Sequence, residues 1–371
     1  MKIITVVGAR PQFVKAAAVS RALTAFNKRN NNIYFEERIV HTGQHYDDNM
    51  SKVFFEELQI QSPSVNLEVG SGSHGHQSGV MLERIERILI EFKPELVLVY
   101  GDTNSTLAAS LAASKLHIPV AHVEAGLRSF NRRMPEEINR VVTDHLSTIL
   151  FCPTDVAVQN LAKEGITKDV HQVGDVMYDS VLFNSDLSGT SSNILKRLSL
   201  KNKSFYLATI HRAENTDNKA RLEGILDAFN SIDVPIVLPL HPRTKKALGT
   251  KLGKFNNEVR IIDPVSYLDM LALEKHARII FTDSGGVQKE AFWLGVPCIT
   301  LRDETEWIEL VHAGCNQIVG ADTSAILEAL LKAEAIVEHG FPSYTSDLYG
   351  DGCSSEKIAA ILGKMGQISV S

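Results

Sequence analysis

The chain has 371 residues, 44% hydrophobic and 22% charged, with a formal net charge of −6. This is a globular composition long enough for two domains, and the acidic balance argues against nucleic acid, which needs a basic footprint. No apolar stretch approaches the roughly 18 residues of a membrane span, and Cys152, Cys298, Cys315 and Cys353 show no close spacing, so reduced thiols in a cytoplasmic protein are expected.

At the N-terminus, MKIITVVGARPQFVK carries an apolar run of only about five residues before Gly8-Ala9-Arg10, which suits a first strand better than a signal peptide. Short apolar runs then recur. They lie at 3–7, 38–41, 96–100, 119–123 and 148–152 in the first half, and at 205–210, 235–240, 259–263, 278–281, 297–301 and 317–320 in the second. Helix-periodic segments such as GVMLERIERILIEF (79–92) separate them. Continuous apolar strands alternating with helices indicate parallel sheets covered on both faces. A polar stretch at 184–204, NSDLSGTSSNILKRLSLKNKS, divides the two sets. The expected architecture is α/β, with two Rossmann-like, doubly wound domains facing a cleft. The first would take residues 1–173 and a returning C-terminal helix in 354–371, the second residues 174–353.

Open parallel sheets bind ligands beyond the carboxyl ends of their strands. In the first half the residues falling there are Arg10, Gln12 and Lys15, then Gln44 and His45, then Asp102, then Glu124. In the second they are His211 and Arg212, His241 and Arg243, Asp283 and Ser284, and Arg302 and Glu304. Charge of both signs at nearly every strand end is the pattern of a ligand cleft. In TDSGGVQKEA (282–291), Gly285 and Gly286 fall where an apolar run meets a helical segment. Free N–H groups and the positive end of the helix dipole suit phosphate oxygens there. Glu290 follows Ser284 at about 9 Å along a helix, a span that fits diphosphate to ribose hydroxyls. A glycine turn followed by a solvent-facing Glu is the alternative.

Arg10, beside a helix mouth opened by Pro11, and Lys15, one turn in, form a second cationic lip or are ordinary surface cations. Asp102 in YGDTNST and Glu124 in HVEAGLRS each follow a buried strand. Burial raises a carboxyl's pKa and nearby cations lower it, so such groups can be tuned for proton transfer. Glu136 opens PEEINR, and Arg140 on the same helical face is placed to orient it. Glu136 and Glu137 also read as first-turn acids favoured by the helix dipole. The first turn, GARPQFVK, is not GxGxxG, so no dinucleotide cofactor is indicated. HExxH, a Cys/His quartet and GxSxG do not occur, and no metal is expected.

The segments GARPQFVK, HTGQHYD, YGDTNST, HVEAGLRS, MPEEINR, TIHRAEN, LPLHPRT and TDSGGVQKEA occur in that order. Together they resemble the non-hydrolysing UDP-N-acetylglucosamine 2-epimerase family, from residue 1 to about 365. The resemblance implies a glycosyltransferase-B-like pair of Rossmann-type domains closing on a UDP-sugar, usually as a homodimer and without a cofactor. It also implies elimination of UDP across C1–C2 to a 2-acetamidoglucal, then re-addition with the proton delivered from the other face. By matching motif, Asp102, Glu124 and Glu136 resemble the catalytic acids and His211 the catalytic histidine. Arg10 and Lys15 would meet the diphosphate or support catalysis. Ser284, Gly285 and Gly286 would hold phosphates and Glu290 the ribose. His241 and Arg243 would face the nucleotide, Tyr267 would lie by uracil, and Arg302 matches the sugar-side arginine.

Two departures bear on the substrate. Where common members read TERPE, this chain has Thr305-Glu306-Trp307-Ile308-Glu309, and Trp307 is either a core residue or reshapes the sugar pocket. With GARPQF and SFNRRMPEEINR, the variant resembles the subgroup acting on UDP-2,3-diacetamido-2,3-dideoxyglucuronate. The family's basic activator segment corresponds to GSGSHGHQSG (70–79), which has no arginine, so activation by a second UDP-N-acetylglucosamine is not expected. The rival readings are a hydrolysing epimerase, a glycosyltransferase and a non-catalytic UDP-sugar binder. The set Asp102, Glu124, Glu136 and His211 argues against the last, since binding alone needs none of them.

Overall fold

The computed structural model describes residues 1–30, 34–44, 55, 59, 61–240, 242–249, 255–341 and 348–368. The chain forms two compact units, Met1–Ser180 with Ser346–Ser371, and Val181–Thr345. The polar stretch 184–204 is not an open linker, because the helix Val176–Ser191 runs into it and a short helix, Ile194–Arg197, follows.

The described strands of the first unit are β1 (Lys2–Val7), β2 (Glu36–His41), β3 (Val65–Asn66), β4 (Leu96–Tyr100), β5 (Val120–Val123), β6 (Ile149–Cys152) and β7 (Val170–Gln172). They pair in parallel in the order β3-β2-β1-β4-β5-β6-β7. Five match the apolar runs. The edge strands β3 and β7 do not, being short, partly or fully exposed, and without an apolar run to announce them. Every residue of β4, β5 and β6 is buried, as both-face coverage requires. On one face Ile4, Val6, Val97 and Val99 pack with Met81, Ile85 and Leu89 of the helix His74–Phe92. Each such side chain contributes about 1.5–3 kcal/mol on burial.

The second unit carries β8 (Tyr206–Thr209), β9 (Ile236–Pro239), β10 (Val259–Ile262), β11 (Ile280–Thr282), β12 (Cys298–Thr300) and β13 (Asn316–Ile318). They are also parallel, in the order β10-β9-β8-β11-β12-β13, and match the six apolar runs. Phe229 and Phe281 meet edge to face at 5.3 Å in its core.

In each sheet the strand order reverses once, between β1 and β4 and between β8 and β11. Loops at such a switch point part to either side and leave a crevice at the carboxyl ends. The chain's last helix, Ser354–Ile368, packs on the helix Arg10–Arg29. Asp179 holds its start, accepting from the N–H of Ser354 at 3.1 Å and of Ser355 at 2.6 Å. No helix among the described residues is long and apolar enough to cross a membrane.

Candidate active site

One amide stitches the first switch point. Gln12 Oε1 accepts from the N–H of Gly8 at 2.8 Å and of Ala9 at 3.1 Å. Its Nε2 donates to the Tyr100 carbonyl, at the end of β4, at 2.6 Å and to Thr106 Oγ1 at 2.9 Å. Gly8 is required by close approach, since a Cβ there would strike the hydroxyls of Ser105 and Thr42. Pro11 opens the helix that follows, leaving Arg10 exposed and turning Lys15 inward.

Lys15 Nζ pairs with Glu124 Oε2, with side chains only 12% and 13% exposed. Burial opposes the ammonium, but the carboxylates of Glu124, Asp175 and Asp102 outweigh it and raise the Lys15 pKa above its ordinary value. Glu124 sits at φ 74°, a region non-glycine residues avoid and that surrounding structure must enforce. Its N–H and that of Ala125 both donate to the Phe151 carbonyl at 3.1 Å. Gly101, at φ +60°, lies against the pair, where a Cβ would come 3.1 Å from Glu124 Oε2.

Asp102, at the end of β4, is half-buried, and its Oδ2 lies 2.6 Å from Arg140. Arg140 also meets Glu137 Oε2 at 3.0 Å. Glu137 in turn accepts from the N–H and hydroxyl of Ser129 and the N–H of Phe130, each at 2.9 Å. Burial would raise the Glu137 pKa, but these donors and Arg140 hold it below the usual carboxylate range. The helical-face expectation for Arg140 is therefore corrected. It serves Asp102 and Glu137, while Glu136 is exposed. The turn after β4 brings a carboxylate that sequence spacing could not place.

Behind these acids, His122 of β5 bridges the Gly101 carbonyl, 2.8 Å from Nε2, and Asp144 Oδ1, 2.7 Å from Nδ1. A carbonyl only accepts, so Nε2 donates to it. Asp144 Oδ2 accepts from Gly126 N–H at 3.1 Å and Arg128 at 2.6 Å. Burial would raise the Asp144 carboxyl's pKa, but the bonds from His122 and Arg128 hold it low.

In the second unit, the wholly buried Asp283 anchors the turn after β8 from the end of β11. It accepts from His211 N–H at 3.0 Å, Arg212 N–H at 3.0 Å and Asn215 Nδ2 at 3.1 Å. The His211 ring stays 39% exposed, with Nδ1 3.5 Å from Asp283. Ser284 caps the helix Gly285–Trp293 without using its hydroxyl on the helix, and the first-turn N–H groups have no intrahelical acceptor. Glu290 is 6% exposed and accepts from the Tyr267 hydroxyl at 3.1 Å. Glu274, on the helix Tyr267–His276, is wholly buried with neither oxygen hydrogen-bonded among the described residues. Burial and the charge of Glu290 push its carboxyl well above the ordinary range.

Arg302 is buried and forked onto Glu306 at 2.8 and 3.1 Å. Trp307 packs on the glycine turn, its Nε1 donating to the Gly285 carbonyl at 2.9 Å. His241 and His45 lie outside the described residues, as does the side chain of Arg243. The structure thus groups Lys15, Asp102 and Glu124 in one unit, and His211 with the Ser284 turn in the other. Sequence reasoning missed the His122–Asp144 bridge and Glu274. The available signal was a polar residue inside an apolar strand (PVAHV) or helix (LALEKH).

Residues 27–363 match the profile of the family described as UDP-N-acetylglucosamine 2-epimerase. The chain is 50% identical over 376 residues to the UDP-2,3-diacetamido-2,3-dideoxy-D-glucuronate 2-epimerase of Pseudomonas aeruginosa, covering 98% of this chain and 100% of that one. It is 46% identical over 374 residues to the UDP-N-acetylglucosamine 2-epimerase of Methanocaldococcus jannaschii, covering 98% and 99%. A crystal structure of the M. jannaschii UDP-GlcNAc 2-epimerase in complex with UDP-GlcNAc and UDP matches with a TM-score of 0.83 at 45% identity, covering 98% of this chain and 100% of that one. Profile, relatives and fold agree over nearly the whole length, and the chain belongs to the UDP-N-acetylglucosamine 2-epimerase family.

Proposed function

We propose that this chain inverts C2 of a UDP-2-acetamido sugar, of the UDP-GlcNAc to UDP-ManNAc type, by eliminating UDP and adding it back. The observation that carries the reading is the pair of carboxylates at the ends of adjacent strands, Asp102 after β4 and Glu124 after β5, each held by its own cation. C2 of a pyranosyl-UDP has no neighbouring carbonyl, so simple deprotonation would leave an unstabilised carbanion. If the C1–O bond to UDP breaks as a carboxylate takes the C2 proton, the electron pair forms the C1=C2 bond. Attack of the phosphate oxygen on C1, with protonation of C2 from the other face, yields the epimer. No net oxidation occurs, so nicotinamide has no part to play.

In this reading Asp102, Glu124 and Glu136 are the acids and His211 the catalytic histidine. Lys15 orients Glu124 and, with Arg10, supports the departing diphosphate. Ser284, Gly285 and Gly286 receive phosphate oxygens at a helix start, with His241 and Arg243 on the nucleotide side. Glu290 binds the ribose, Tyr267 lies by uracil, and Arg302 is on the sugar side. A second substrate, UDP-2,3-diacetamido-2,3-dideoxyglucuronate, is favoured by the 50% identity to the P. aeruginosa enzyme and by Trp307.

Proton NMR in D2O, with each sugar nucleotide in its own tube, tests both. Deuterium at C2 of a manno-configured UDP product is expected from one of them; no exchange with either, while UDP still binds, sinks the epimerase reading. We also place the chain in the cytoplasm, in keeping with its four free cysteines, and as a homodimer. Exposed Phe130, Ile138 and Val142 support the latter, and a monomer mass in sedimentation equilibrium would overturn it.

A further inference from the structure

We propose that Trp307 is a positioning residue for the nucleotide's diphosphate, acting by fixing the plane of the peptide between Gly285 and Gly286. The inference rests on the reading above that this turn receives phosphate oxygens. In a planar trans peptide the carbonyl of one residue and the N–H of the next point in opposite directions. Trp307 Nε1 donates to the Gly285 carbonyl at 2.9 Å, so the Gly286 N–H is directed away from the indole, at a residue that is exposed. A Gly-Gly link is the least restrained by its own side chains, and first-turn N–H groups have no partner inside the helix. Gly285 lies inside the helix Gly285–Trp293, where its carbonyl also accepts in the i→i+4 ladder. The indole clamp is thus a second restraint on that peptide, at a helix start whose first bond, from the Gln288 N–H to the Ser284 carbonyl, is long at 3.4 Å. The carbonyl has a second lone pair for this bond.

The indole is itself held. Lys289 follows Gly285 by one helical turn on the same face, and its Nζ lies 4.1 Å from the Trp307 ring centroid and 5.3 Å from that of Trp293. At 5% exposure the ammonium is largely withdrawn from water, where cation–π attraction is strongest. The backbone N–H of Trp307 donates to Thr305 Oγ1 at 3.2 Å, and that hydroxyl donates to Gln288 Oε1 at 2.6 Å. The segment 305–307 is thereby joined to one helix at Gly285, Gln288 and Lys289.

The clamp acts on the phosphate side alone, so its loss separates UDP from uridine. Calorimetric titration of Trp307→Phe, which keeps a ring but loses the N–H donor, is expected to weaken UDP about tenfold, the worth of one hydrogen bond. Uridine affinity should stay within about twofold. Lys289→Met, which leaves the indole but removes its cation, is expected to show the same selective loss at about threefold. Unchanged UDP affinity in both variants, or equal weakening of UDP and uridine, overturns the clamp. A wild-type protein that binds uridine as tightly as UDP would instead sink the phosphate-cradle reading on which the clamp rests.

Discussion

The two sheets share a strand order over six strands, with the same switch point, yet dress that point differently. In the first unit, charged side chains do the work. Lys15 faces Glu124 and Arg140 faces Asp102, with most of each pair withdrawn from water. In the second, a buried acid, Asp283, holds backbone N–H groups and the helix start offers its own. The ion pairs fix the position of two carboxylates, whereas the second switch point presents backbone amides, with the His211 ring beside them. In the function proposed above, the same topology supplies the acids at one sheet and, together with His211, the phosphate cradle at the other.

The largest test of that contrast is Asp102→Asn. Turnover should fall about a thousandfold, within the range for general acid–base groups, while UDP affinity stays within about tenfold. A comparable loss of UDP affinity would make the first switch point a binding site too. Next, Asp283→Ala strips the acceptor from three buried or half-buried donors, and about 3 kcal/mol of stability should go with it. Urea unfolding measures this, and a change under 0.5 kcal/mol would mean that the turn is held by something else.

A pH comparison sharpens the contrast further. Asp144 has a lowered folded pKa, so its stabilisation is present above its unfolded value near 3.9 and is lost as pH falls through the folded one. The deficit of Asp144→Asn at pH 7 should therefore shrink in acid. Glu274 has a raised folded pKa, so its contribution is full below its unfolded value near 4.3 and is lost as pH rises toward the folded one. Glu274→Gln should match wild type near pH 4 and melt above it by a gap that widens toward pH 8. Melting curves for both variants from about pH 2 to pH 8 give the signs, and equal signs would erase the difference between the two acids. The smallest effect is expected at the exposed Arg87–Glu83 pair, where Arg87→Ala should change stability by no more than about 0.5 kcal/mol.

Much of this was legible in the residues. Eleven apolar runs became strands because a both-face-covered strand must be apolar along its length, whereas β3 and β7, at sheet edges, carry no such mark. The strand-end rule located Asp102, Glu124, His211 and the Ser284 turn, since chain order determines which residue follows a strand. The helical-face rule failed for Arg140. Helical spacing offered Glu136 as the partner, while a loop from another element supplied Asp102. Trp307 was equally undetermined, because nothing in its neighbours indicates that it lies on a glycine turn some twenty residues earlier.

The sequence by itself determined the two parallel sheets, the family and the identity of the chemical groups. These rest on local periodicity and ordered motifs, which the chain carries regardless of how it packs. Only the tertiary structure decided which charge meets which, that Lys15 turns inward to Glu124, that Glu124 adopts a left-handed conformation, and that Glu274 is buried beside Glu290. Those are distances between residues far apart in the chain, and electrostatic energy depends on distance and burial, not on sequence position.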